Sequence, residues 1–228
     1  MKTPPFTRLA AIALLFPLVT SIQTATASEP LTTIPAILDS MEGHAEDIVD
    51  TLLAKNATAS HQLYDQLGQE MQQLRQRVTS DPADERRSRE LMMAYSWMRV
   101  IDIEITDKSW LEAAVGANQL TGMIIQTSHF PTLMQRDVAW LDYLGREIEL
   151  LTMEDPKANA DLLAVRQITL DHTWNRISRD LIKDFRNKPL VERGNSLLMK
   201  IEHAKKPART IALAKKLLDF VDQVEKRE

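Results

Sequence analysis

The sequence predicts an all-α protein, an up-and-down helical bundle of four longer helices with additional short C-terminal helices. Apolar residues recur at spacings of three and four along most of the chain, the period of a helix with one buried face. Prolines and cap-forming residues punctuate those runs, as they do at helix ends. Sustained alternation of apolar and polar residues is missing, so nothing reads as a strand. With neither a repeat nor a long linker, residues 28–228 read as a single all-helical domain.

Residues 1–27 read as a cleaved signal peptide. Lys2 and Arg8 precede the apolar run Leu9 to Val19, and Ala25-Thr26-Ala27 fits a small-residue cleavage site. That run is short and contains Pro17, which suits a signal better than a membrane span of about 20 residues. The mature chain is therefore expected in the periplasm, with no transmembrane segment.

Thr32-Thr33 offers caps and Pro35 fits a first helical turn. Ile37, Met41, His44, Ile48 and Leu52 then mark one face of a helix, and Leu63, Leu67, Met71, Leu74 and Val78 resume the stripe. Whether the helix runs unbroken through residues 55–60 stays open. Ser80-Asp81-Pro82 ends it, Asp81 as a cap and Pro82 at the next first position. From about Ala83 to Thr106 the chain is charged at first and then apolar almost all round, the pattern of a helix buried on several sides. Ser109 with Glu112 has the spacing of a capping box. It opens a helix whose inward stripe is Ala113, Ala117, Leu120 and Ile124.

Pro131 separates that helix from the next, which carries Met134, Val138, Leu141, Leu144, Ile148 and Leu151 on its core face. Asp142 and Arg146 have the spacing of an ion pair on its outside. Asp155-Pro156 is read as the start of a helix to about Asn187, with Leu163, Leu170, Trp174, Ile177 and Leu181 inward. Lys188-Pro189 is read as its break, followed by shorter helices over Val191–Ala204 and Ala208–Val224, the last with Ile211, Ala214, Leu218 and Val221 inward. The densest core is expected between Leu91 and Leu151, where Trp97, Trp110, Trp140 and a scatter of methionines that includes Met92 and Met93 gather.

The full chain carries a net charge of −4, and loss of Lys2 and Arg8 makes the mature chain more negative. That balance, without a basic block, argues against nucleic acid and anionic lipid. Cysteine is absent, which excludes disulfides, thiolate metal sites, covalently attached haem and cysteine nucleophiles. The chain has no Gly-x-Ser-x-Gly elbow and no glycine-rich phosphate loop. The protein is accordingly expected not to be an enzyme but to act by binding, as an accessory, adaptor or ligand-holding component with a periplasmic protein partner or a small ligand.

The alternative is metal or haem binding through Met41, His44 and Asp47, which follow one another at intervals of three. Thioether plus imidazole suits copper, and such pairs also hold the iron of non-covalent haem b. A core methionine beside a histidine bonded to a carboxylate or carbonyl explains the same pattern. His61, His129, His172 and His203 show no metal-ligand spacing. Asp102 and Glu104 fall in the most apolar helix, where burial would raise a carboxyl pKa.

Overall fold

The computed structural model describes residues 34–78 and 85–227, and among them the predicted all-α class holds. Eight α-helices follow in order: α1 (Ile34–Leu53), α2 (Ala57–Val78), α3 (Glu85–Thr106), α4 (Trp110–Thr127), α5 (Leu133–Glu154), α6 (Ala160–Leu181), α7 (Lys188–Glu202) and α8 (Pro207–Glu225). The signal segment 1–27, Thr32-Thr33 and the Ser80-Asp81-Pro82 break lie outside the described residues. No described helix is long and apolar enough to cross a membrane.

The open question at residues 55–60 resolves as two helices. Lys55 takes a left-handed conformation with φ 55°, which a helix cannot continue. Asn56 then caps α2, its Oδ1 accepting from the Ala59 N–H at 3.2 Å. Beneath this turn the buried Ser60 hydroxyl donates to Thr51 Oγ1 at 3.0 Å, tying the two helices together.

The helices pack as two rings of four. In the first, α1 packs on α2, α2 on α3, α3 on α4, and α4 closes back on α1. In the second, α5 packs on α6, α6 on α7, α7 on α8, and α8 closes back on α5. Each ring has its own apolar core, Met41, Ile48, Leu67, Met71, Ile101 and Leu120 in the first and Leu141, Ile148, Trp174, Ile177, Leu217 and Phe220 in the second. Packing of α4 on α5 joins them. Leu150 of α5 reaches the first core and Ile125 of α4 the second. Small residues allow the approach within the first ring: a Cβ on Gly116 would lie 3.2 Å from the Ile101 side chain of α3.

The expected split into four longer helices and short C-terminal ones therefore needs correction. Helices α1 to α6 each have 18 to 22 residues, and α8 has 19. Periodicity predicts a helix and its buried face, but not which helices share a core. Several boundaries move for local reasons. Ser109 makes no side-chain cap bond; the capping box belongs to Thr132 and Gln135, at the start of α5. Asp155 accepts from the N–H groups of Lys157 and Ala158 at 2.9 and 3.1 Å, closing a turn rather than launching a helix. α6 stops at Leu181, and Pro189 lies in the first turn of α7 instead of ending its predecessor. On α3 the expectation of burial on several sides is also corrected, because Met92, Met93 and Ile103 are exposed.

Candidate functional site

The structure sends Met41, His44 and Asp47 in three directions. Met41 is fully buried in the first core. His44 is half-buried and faces α2, its Nδ1 lying 3.0 and 3.1 Å from the Glu70 carboxylate oxygens. Ser40 donates to the same carboxylate at 2.5 Å. Asp47 is exposed and lines a groove on another side of α1. The reason is the helical pitch. A step of three residues falls about 60° short of a full turn, so two such steps swing a side chain by about 120°.

The remaining candidates disperse as well. His61, His129, His172 and His203 are exposed, as is Asp102, while Glu104 is half-buried. Among the described residues, no group of three or more His, Asp or Glu is placed to hold a metal ion.

What α1 does build is the groove that Asp47 enters. The groove has a volume of about 640 Å³ and runs between α1, α5 and α8. α1 contributes Glu46, Asp47 and Asp50, α5 contributes Asp142 and Arg146, and α8 contributes Lys215, Asp219 and Asp222. Leu53, Ala54 and Leu218 supply apolar wall between them. Six carboxylates thus face two cations.

Both cations are already committed. Arg146, only 12% exposed, reaches Asp50 at 2.9 Å and the fully buried Glu149 at 3.2 Å. Lys215 stands 3.5 Å from the other oxygen of Glu149. The expected outward pair of Asp142 with Arg146 is therefore corrected, since the guanidinium turns inward to neutralise Glu149. A carboxylate at zero exposure needs an adjacent cation more than a solvated one does. The carboxylates of Glu46, Asp47, Asp142, Asp219 and Asp222 then make neither a hydrogen bond nor an ion pair among the described residues.

That imbalance shows in the titration of the site. Burial first, then Asp39, Asp142 and Glu225, push the Glu42 carboxyl up to about 7. Glu46 is raised by burial and by Asp142, Glu42 and Glu225, with Arg146 opposing. Asp142 is raised by burial against the pull of Arg146, and Glu225, Asp222 and Asp50 add to the rise. The folded chain thus holds protons that the unfolded chain has released, from the ordinary carboxylate range near 4.5 to about 7 for Glu42. Stability is expected to fall as pH rises across that window. Melting temperature measured between about pH 5 and about pH 8 should decrease, and Glu46→Gln should flatten the slope. A rising profile, or a slope untouched by Glu46→Gln, would contradict this electrostatic picture.

Compared with known proteins, the chain matches no family model, no curated protein and no solved structure. The site stands on its own geometry. Sequence reasoning singled out Asp47, and Asp142 only as a partner of Arg146, but missed that the two share a site, because Asp50, Asp142, Lys215 and Asp222 meet only when α1 and α8 flank α5. One signal was available. Arg146-Glu147-Ile148-Glu149-Leu150 places charges inside an apolar run, and a charge held on a core stripe needs a partner from elsewhere.

Proposed function

We propose that the protein is an exported, periplasmic binding component that holds a positively charged ligand in the groove of α1, α5 and α8 and performs no covalent chemistry. The observation that carries this reading is the set of groove carboxylates without partners, while both groove cations are engaged by Asp50 and Glu149. Such a surface focuses field lines and concentrates cations, and its volume suits a small molecule. The basic n-region, the apolar run and Ala25-Thr26-Ala27 support export.

The test is native mass spectrometry of the purified mature protein after exchange into a periplasmic small-molecule extract. A cationic species should be retained by the wild type, shed on raising salt, and lost in Asp142→Asn/Asp222→Asn. No retained species, or equal retention by the double variant, would refute the reading.

One observation favours a second reading, copper or non-covalent haem binding. The Glu70 carboxylate lies against Nδ1 of His44, and in the neutral tautomer that donates from Nδ1 the lone pair sits on Nε2, as in carboxylate-anchored metal ligands. Met41 is sealed in the core and Asp47 turns to the groove, so His44 alone of the three would serve. Metal content and visible absorption of protein from copper- and iron-supplemented cells decide the matter. Stoichiometric copper or a Soret band lost in His44→Ala would support it, and a colourless, metal-free protein would remove it.

A further inference from the structure

We propose that the cleft between α7 and the C-terminal end of α8 is an anion site whose ligand is a small phosphate monoester. The cleft has a volume of about 470 Å³, enough for a small molecule. Arg186 comes from the 3-10 turn Phe185–Asn187, Arg193 from α7, and Lys226 and Arg227 from the end of α8. Pro189 and Leu190 supply apolar wall. Among the described residues no carboxylate lines it, in a chain whose acidic residues outnumber its basic ones. These cations form no basic block in the sequence. Packing of α7 on α8 gathers them.

The way Arg193 is held separates this cleft from a solvated run of charge. Its Nη1 donates to Gln223 Oε1 at 2.9 Å, and Gln223 Nε2 donates in turn to the Asp219 carbonyl at 2.8 Å. The amide is thereby fixed with its oxygen toward the guanidinium. The guanidinium carbon stands 5.7 Å from the centroid of the Phe220 ring, within cation–π range. Two neutral contacts thus orient an exposed arginine that makes no ion pair among the described residues. Ordering long side chains costs conformational entropy, and here no ion pair offsets it. Nε and Nη2 stay open, the donors with which a guanidinium grips a phosphate in two parallel bonds. The side chains of Lys226 and Arg227 likewise make no hydrogen bond or ion pair among the described residues. Asp184 feels Arg227 only through its field and is already bound by Arg186 at 2.7 Å. Three uncommitted cations suit a dianion better than a monoanion. The volume far exceeds a bare phosphate, and an adjoining groove shares Pro189, Arg193 and Gln223 and continues past Leu197 and Phe220. An ester's organic body has its place there.

The experiment is calorimetric titration of the mature protein with phenyl phosphate at low salt, with inorganic phosphate and benzoate as comparison ligands. Saturable binding at one site is expected, tighter for phenyl phosphate than for either comparison. Arg193→Gln should weaken it about tenfold, the loss of one charge-assisted fork. Arg193→Lys keeps the charge without the fork and should weaken it nearly as much. Gln223→Leu leaves every cation in place and should cost about threefold, because Arg193 is no longer held. Arg209→Ala, an exposed cation at the other end of α8, should leave affinity unchanged. Circular dichroism checks that the variants fold. No saturable binding, or equal losses from Arg193→Gln and Arg209→Ala, overturns the site. Affinity untouched by both Arg193→Lys and Gln223→Leu overturns the held guanidinium on which the proposal stands. Inorganic phosphate or benzoate binding as tightly as phenyl phosphate, or an acidic peptide binding in its place, overturns the ligand class.

Discussion

Gly194→Ala is expected to destabilise the protein by about 2–3 kcal/mol, at the upper end of overpacking effects. A Cβ at this position would lie 2.1 Å from Trp174 Cζ2 and 2.6 Å from Cε2 and Cη2, far inside van der Waals contact. The indole has little room to retreat. Trp174 is 2% exposed, meets Phe220 edge-on at 5.3 Å between ring centroids, and donates from Nε1 to Asn195 Oδ1 at 2.7 Å. Helix propensity opposes the effect, because alanine is favoured over glycine by about 1 kcal/mol within a helix. The steric cost has to exceed that gain, and at 2.1 Å it does. In a chain of this size the loss lowers the melting temperature by on the order of 5–10 °C. Adding Trp174→Leu should make the alanine nearly neutral, since the two positions share one space. A melting temperature unchanged by Gly194→Ala would mean that α6 and α7 are not packed as described.

Arg146→Met is expected to cost about 3 kcal/mol, the low end for removing one partner of a buried ion pair. The substitution keeps most of the side-chain length and leaves Glu149, at zero exposure, with only Lys215 at 3.5 Å. It also removes the cation that opposes the rise of Glu46 and Asp142, so those two carboxyls are pushed up further and hold their protons more firmly. Replacing both members, Arg146→Met with Glu149→Met, should recover most of the loss, because a buried pair exchanged for apolar residues of similar size is often neutral. Denaturant unfolding of the two variants checks both statements. Equal stability of the single variant and the wild type would show that Glu149 does not depend on Arg146 as its buried partner.

The helices were readable because a buried face writes itself into one dimension as a spacing of three and four. Val138, Leu141, Leu144 and Ile148 on α5, and Leu170, Trp174, Ile177 and Leu181 on α6, were named from that spacing and are buried. Stop signals were read less well. Ser109 has the residue types of a capping box without its bond, whereas Thr132 and Gln135 make both bonds of one. Residue type permits a cap, and the incoming backbone geometry determines whether it forms. On α8 the inward face was half right, with Ala214 and Val221 buried but Leu213, Leu217 and Phe220 unforeseen.

Composition, helical period and the absence of cysteine were enough to establish an all-α chain without thiol chemistry, since each is a property of residues along a line. The pairing of α4 with α1 and of α8 with α5, the inward turn of Arg146, and the meeting of Asp47 with Asp142 and Asp222 came from packing in space. Those contacts join side chains far apart in the chain. No local spacing encodes them, because which helices share a core is settled by how all the buried faces fit together at once.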